Sequence, residues 1–317
     1  MKAYIIDKTA PEKLVLSETE DPAPLPGEIL VRVGATSLNR GEIRMALELG
    51  IYPHGYIPGW DVAGTVERAA ASGKGPKEGE RVVAFVTKGA WAEKVAVPVE
   101  YAAAIPDDVS FAQAATLPVA GLTALHALYL GGNLWGKKVL VTGATGGVGD
   151  FAIQLAKSAG AIVTAHIRRE SQREFIAQTG ADNLAVGPSL KDAAHPFAPF
   201  DLVVESVGGE TLGQALAMLT ERSVVVLFGT SGGDHVTFDA QTFYNTGGAR
   251  LYGLRMPDQL KWVESGTIGL GKLGAALQTG ALKPLIGVEE SWHELPRVAA
   301  DLLGRKFLGK AVLHMSD

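Results

Sequence analysis

The segment Lys137-Lys138-Val139-Leu140-Val141-Thr142-Gly143-Ala144-Thr145-Gly146-Gly147-Val148-Gly149 constrains this 317-residue chain more than any other stretch. It opens as the apolar run of a buried strand and passes into a glycine-rich turn. A helix pattern follows, with Phe151, Leu155 and Ala156 on one apolar side. Strand, glycine turn and helix in that order form the phosphate-binding unit of a dinucleotide fold. The glycines let the backbone approach a pyrophosphate closely, and the helix start offers unpaired N–H groups and a positive dipole end. Against the G-x-G-x-x-G pattern, Ala144 replaces the first glycine, while Gly146 and Gly149 hold the other two places. One methyl is tolerable there if the backbone keeps a negative φ. The competing reading is a tight strand-to-helix turn that binds nothing.

The next strand chooses between cofactors. It reads Ala161-Ile162-Val163-Thr164-Ala165 and runs into His166-Ile167-Arg168-Arg169. An NAD site usually places an Asp or Glu there to take the ribose 2′-hydroxyl. No acid occurs between Asp150 and Glu170. Two arginines can pair with a 2′-phosphate through charge-assisted bonds. The expectation is therefore NADPH rather than NADH, with Arg168 and Arg169 at the phosphate; the alternative is two ordinary solvated charges.

Composition narrows the function classes. The chain is 47% hydrophobic and 20% charged, enough to bury a large core, and its length suits two domains. A net charge of −5 gives no general attraction to nucleic acid or acidic membranes. There is no cysteine, so disulfides, thiolate chemistry and cysteine-ligated zinc are excluded. The seven histidines are scattered without a metal-binding spacing, and no Gly-x-Ser-x-Gly elbow occurs. The start, Met1-Lys2-Ala3-Tyr4-Ile5-Ile6-Asp7, reads as strand rather than signal peptide, and no apolar run has membrane length. A cytoplasmic protein is expected.

Pattern divides the chain into three parts. Residues 1–118 hold short β patterns punctuated by proline and glycine, as in Ile29-Leu30-Val31-Arg32-Val33 and Arg81-Val82-Val83-Ala84-Phe85, which suggests a barrel-like β domain. Residues 119–256 alternate strands and helices, with candidate strands at 138–142, 161–165, 201–205, 223–228 and 250–254, as in a doubly wound parallel sheet. The tail, 257–317, carries a strand-like Leu285-Ile286-Gly287-Val288, a helix near 294–304 and a final strand from Lys310 to His314. It does not extend the alternation and is expected to return to the first domain.

Together these pieces resemble the medium-chain dehydrogenase/reductase superfamily, in its zinc-free quinone oxidoreductase branch. The resemblance rests on Gly27-Glu28-Ile29-Leu30-Val31-Arg32-Val33, Leu38-Asn39-Arg40-Gly41-Glu42 and Ile57-Pro58-Gly59-Trp60-Asp61-Val62-Ala63-Gly64-Thr65-Val66. It continues through Gly79-Glu80-Arg81-Val82, Gly89-Ala90-Trp91-Ala92-Glu93, Ala114-Ala115-Thr116-Leu117-Pro118-Val119-Ala120-Gly121-Leu122-Thr123-Ala124 and the glycine turn. It implies an α/β protein: a GroES-like β-barrel domain from the two chain ends, a Rossmann domain between them, and an active site in the cleft. Zinc members of the superfamily carry a cysteine where this chain has Asn39, and Gly-His-Glu where it has Gly59-Trp60-Asp61. Without such ligands no catalytic zinc is expected. Hydride addition to an acceptor that is already electrophilic, a quinone or an α,β-unsaturated carbonyl, remains.

The same resemblance nominates residues. It places Asn39 beside the nicotinamide, where the alternative is a turn-stabilising asparagine. It places Tyr52 at the substrate mouth, to stack on a flat acceptor or donate its hydroxyl proton; a packing role competes. Cofactor contacts are implied for Thr123, for Ala144, Thr145, Gly146, Gly147 and Val148 of the turn, for Ser206 and Val207 after the strand ending at Glu205, and for Phe228, Gly229 and Ser231 after the next. Lys310 is either a cofactor contact or a surface strand-start lysine. Relatives are often dimers joined through their Rossmann sheets, and the apolar Arg250-Leu251-Tyr252-Gly253-Leu254 is a candidate edge. The alternative function is an NADPH-binding sensor or structural protein with little turnover.

Overall fold

The structure is a computed structural model that describes residues 1–315. The chain divides into two compact units, Met1–Leu122 with Leu260–Asp317, and Thr123–Gln259.

In the first unit β1 (Lys2–Ile6) and β2 (Leu14–Glu18) form a two-stranded antiparallel sheet. A seven-stranded sheet follows, beginning with β3 (Glu28–Leu38), β4 (Asp61–Arg68), β5 (Arg81–Phe85), β6 (Lys94–Pro98) and β7 (Ala102–Ala104). β3 is the hub of this sheet, because it pairs with both β4 and β6. Its two edges are therefore paired, and Ile29, Val31 and Val33 are buried along with Thr36 and Ser37 while Arg32 is exposed. Each fully buried branched apolar side chain there contributes about 1.5–3 kcal/mol. Trp91, Trp292, Tyr4 and Tyr52 belong to the same core.

The second unit carries β8 (Lys138–Val141), β9 (Ile162–Ile167), β10 (Asn183–Val186), β11 (Phe200–Glu205), β12 (Leu219–Leu227) and β13 (Arg250–Gly253). All are parallel, in the order β10-β9-β8-β11-β12-β13. This is the doubly wound order, with its switch point between β8 and β11. Five of the strands fall where the alternating pattern puts them. The sixth, β10, is a short strand beside β9. Val139, Leu140, Val141 and Val203 are fully buried, as expected for strands covered on both faces. β13 is the exposed edge, with Leu251 46% and Tyr252 36% accessible.

The chain then returns to the first unit. β14 (Ile286–Ser291) lies parallel to β15 (Lys310–His314), and β15 pairs antiparallel with the end of β3, Ala311 opposite Leu38. Arg40 fastens the helix Leu295–Leu303 by donating to the carbonyls of Leu302 and Leu303, at 3.3 and 2.9 Å. Among the described residues no helix is long and apolar enough to cross a membrane.

Candidate functional site

In the second unit the glycine turn after β8 shapes an anion cradle. The helix Gly147–Ser158 starts from Gly146 in extended conformation and has no side-chain cap. Its first N–H groups are thus left to a ligand such as a phosphate. Two glycines are sterically required. A Cβ on Gly149 would lie 2.5 Å from the Gly143 carbonyl oxygen and 2.7 Å from Ala144 Cα. Gly143 has φ of 56°, and a Cβ there would sit 2.3 Å from Ser206 Oγ. Ala144 is buried and stays outside the positive-φ region, so its methyl is accommodated as the substitution requires.

The neighbouring strand ends are laced to this turn. Thr142 Oγ1 donates to Glu205 Oε1 at 2.9 Å, and the Ser206 N–H donates back to Thr142 Oγ1 at 3.2 Å. Glu205 is fully buried and also accepts the N–H groups of Val207 and Gly208, at 2.7 and 2.9 Å. Burial pushes its carboxyl above the usual range, and these bonds oppose the shift. From the end of β12, the Phe228 N–H donates to the Glu205 carbonyl at 3.1 Å. Ser231 donates its N–H and its hydroxyl to the Ser206 carbonyl at 3.3 and 3.1 Å. Arg168 and Arg169 follow β9, next to β8, and both are exposed. Their backbone N–H groups share Gln172 Oε1. The sequence-predicted residues Ala144, Thr145, Gly146, Gly147, Val148, Arg168, Arg169, Ser206, Val207, Phe228, Gly229 and Ser231 therefore stand at the carboxyl ends of four adjacent strands. Thr123 lies in the helix Leu122–Tyr129, buried, with its hydroxyl on the Met256 sulfur at 3.5 Å.

The first unit holds a buried charged cluster. Asp61, at the start of β4, is fully buried. Its Oδ2 accepts from Ser37 Oγ at 2.5 Å, Asn39 Nδ2 at 2.8 Å and Lys310 Nζ at 3.2 Å, while Oδ1 accepts the Val119 N–H at 2.9 Å. Lys310 also donates to the Leu38 carbonyl at 3.1 Å and to Asn39 Oδ1 at 2.8 Å. Glu42, in the short helix Arg40–Ile43, is fully buried. Its Oε1 accepts the Asn39 N–H at 2.7 Å and Asn39 Nδ2 at 3.0 Å. Its Oε2 is buried with no hydrogen-bond partner among the described residues. Burial, then the charge of Asp61, pushes the Glu42 carboxyl up to about 8.

This geometry corrects one sequence reading. Lys310 is 3% exposed and not a surface lysine, because all three ammonium protons are engaged inside the cluster. Asn39 uses both amide hydrogens on Glu42 and Asp61. Tyr52 is 8% exposed and stacks on Tyr56 with centroids 4.2 Å apart. Its hydroxyl donates to the Met45 sulfur at 3.8 Å and interacts with the side chains of Trp60 and Tyr56. Burial, followed by the charges of Tyr56 and Glu42, pushes its phenol up to about 12.

Glu42, Asp61 and Glu205 were not singled out from sequence. Glu42 had a signal, since Asn39 and Glu42 stand at the N-cap and N3 spacing of a capping box, which the structure forms. Asp61 had none, because its partners come from residues far along the chain.

Residues 25–107 match the family model of the alcohol dehydrogenase GroES-like domain, and residues 147–266 that of the zinc-binding dehydrogenases. A 2-methylene-furan-3-one reductase of Solanum lycopersicum is 31% identical over 304 residues, 90% of this chain and 71% of that protein. The synaptic vesicle membrane protein VAT-1 homolog-like of Mus musculus is 32% identical over 245 residues, 74% of this chain, but the match spans only 57% of that relative's length. A mycobacterial protein solved in complex with NADPH is similar with a TM-score of 0.87 and 26% identity, covering 99% of this chain and 100% of that one. The donor set here does not fit the zinc of the second family's description. Asp61 has both oxygens committed and a lysine ammonium against it, and among the described residues no three His, Asp or Glu side chains converge as a metal site.

Proposed function

This chain belongs to the medium-chain dehydrogenase/reductase superfamily, in its quinone oxidoreductase-like branch, and from that membership we propose an NADPH-dependent, zinc-independent oxidoreductase that reduces a quinone or an α,β-unsaturated carbonyl. The observation that carries this reading is the uncapped, glycine-lined helix start at Gly146, with Arg168 and Arg169 after the adjacent strand and no acid in their place.

The residues present fit the cofactor. The turn Ala144–Val148 would take the pyrophosphate, Ser206, Val207, Phe228, Gly229 and Ser231 the ribose and nicotinamide side, and the two arginines the 2′-phosphate. Bound there, the reduced nicotinamide supplies a hydride. What this chain contributes is positioning and a proton donor. The glycines hold the backbone close, Glu205 fixes the turn carrying Ser206 and Val207, and the Tyr52 hydroxyl would donate to the oxygen that becomes anionic on the acceptor. A tyrosine whose proton rests on a sulfur, a weak acceptor, is suited to that task. The exposed edge β13 would pair with a second copy in a homodimer, which sedimentation tests directly: a monomer at assay concentration removes that part.

The experiment is steady-state oxidation of NADPH, with NADH in parallel, against a panel of quinones and enones. Turnover with a clear NADPH preference is the expected result. Arg168→Ala with Arg169→Ala should weaken NADPH by about tenfold or more and leave NADH nearly unchanged. Tight NADPH binding with no turnover across the panel overturns the reductase reading in favour of a sensor.

A further inference from the structure

Two buried polar side chains of the second unit have no part in the assignments above: His166, in β9, and Gln172, in the single helical turn Glu170–Gln172 that follows it. Burying such groups is costly unless each is hydrogen-bonded, so the destination of their bonds is informative. Both end on the backbone at the carboxyl ends of β9 and β10.

β9 and β10 run parallel with Val186 opposite Ile167, so Arg168 and Arg169 leave the sheet beside Gly187. Gly187 is held at both of its backbone groups by the last two residues of β9. Its N–H donates to the Ile167 carbonyl at 2.9 Å, and its carbonyl accepts from His166 Nε2 at 2.9 Å. A carbonyl only accepts, so Nε2 carries the ring proton. Burial pushes the imidazole below the usual histidine range; the Gly187 bond opposes the shift and the charge of Arg168 adds to it. The ring is therefore a neutral donor at neutral pH. On the other side, Gln172 Oε1 accepts the N–H groups of Arg168 and Arg169, both at 3.2 Å. The Gln172 N–H donates to the Arg169 carbonyl at 3.0 Å. The neighbouring acid, Glu170, is ion-paired with Arg173. One buried amide thus fixes the backbone that carries the two guanidinium groups, and one buried imidazole fixes the loop beside them. An arginine side chain has many rotamers, and ordering it on a phosphate costs affinity. An unanchored backbone beneath it would add its own freedom to that cost.

We propose that His166 and Gln172 are specificity-determining positioning residues for the 2′-phosphate of the cofactor: Gln172 aims the pair Arg168 and Arg169, and His166 holds the Gly187 loop as the neighbouring wall of the phosphate site. Neither side chain touches the phosphate, and no bond is made or broken. The proposal rests on the assignment of the two arginines to that phosphate. NADH lacks the group, so loss of either anchor should weaken NADPH and leave NADH alone.

Equilibrium titration with 2′,5′-ADP and 5′-AMP, which differ only in that phosphate, tests this without an acceptor. The wild type should prefer 2′,5′-ADP. Gln172→Met and His166→Phe keep the bulk and lose the acceptor or the donor. Each should reduce the preference about tenfold, with 5′-AMP affinity within about twofold of wild type. His166→Gln retains an N–H donor and should keep most of the preference. Long-range proton–nitrogen NMR spectra of the wild type should show the His166 ring protonated at Nε2 alone, its signals identified by their loss in His166→Gln. A preference retained in either Gln172→Met or His166→Phe, or a His166 proton on Nδ1, overturns the proposal and leaves the arginine assignment standing. So does 5′-AMP weakened as much as 2′,5′-ADP, because a merely structural role would move both. A wild type with no preference removes the arginine assignment, and the proposal falls with it. Where one variant does not fold, the other variant and the ring-proton spectrum still decide.

Discussion

Each unit buries one glutamate completely, and the two are opposite in kind. Glu205 in the second unit has both oxygens engaged, by a threonine hydroxyl and two backbone N–H groups. Glu42 in the first unit has one oxygen engaged and one bare. Burial raises the proton affinity of both. Glu205 is a structural clamp whose bonds favour the ionised form and hold the cofactor turn. Glu42 lacks the bonds that would make ionisation affordable, so it is left to titrate. Equal burial thus leads to different chemistry, and the number of donors aimed at the second oxygen decides which.

The largest effect should come from removing the cation beside Glu42. Lys310→Met leaves Asp61 buried without its counter-charge, which should destabilise the protein by about 3–5 kcal/mol. Thermal or urea denaturation measures it; a loss near zero would mean that the cluster is solvated in solution.

Glu205→Gln comes next. It keeps the size but replaces one acceptor oxygen with an N–H group facing backbone donors, so about 1–3 kcal/mol of stability should be lost. NADPH should bind more weakly as the Ser206–Val207 turn loosens, which isothermal titration reads. Unchanged affinity would show that the clamp does not position the cofactor.

Glu42→Gln should be the mildest at neutral pH, within about 1 kcal/mol of wild type, because the native acid is already neutral. Its signature is the pH dependence. The folded carboxyl is raised to about 8 above its ordinary value, so the folded state holds a proton that the unfolded state has released. The resulting stability is complete below the ordinary carboxyl range and is lost as pH rises through about 8. Glu42→Gln should be free of that loss, and the difference in melting temperature should move in favour of the variant as pH rises. A difference that stays flat would mean that folding does not hold the Glu42 proton.

Local chemistry made the second unit readable. The strand, turn and helix from Lys138 to Ser158 announce themselves through an apolar run, obligatory glycines and helical spacing, all within twenty-odd neighbouring residues. The candidate cofactor residues of that unit sit at strand ends, and strand ends are visible in the pattern.

The first unit was legible as a succession of short strands, not as a site. Asn39 and Lys310 were each visible, yet the cluster that they form with Asp61 was not, since Lys310 lies 249 residues from Asp61 and 271 from Asn39. No periodicity links positions that far apart. Pairing of β15 with the end of β3 brings the lysine to the aspartate, and burial then makes their mutual compensation obligatory. The amino-acid sequence by itself determined the nucleotide turn, the alternating sheet around it and the absence of cysteine ligands, because those depend on neighbours along the chain. The tertiary structure alone decided which charges share a dry interior, and therefore which carboxyl is a clamp and which is left to hold a proton.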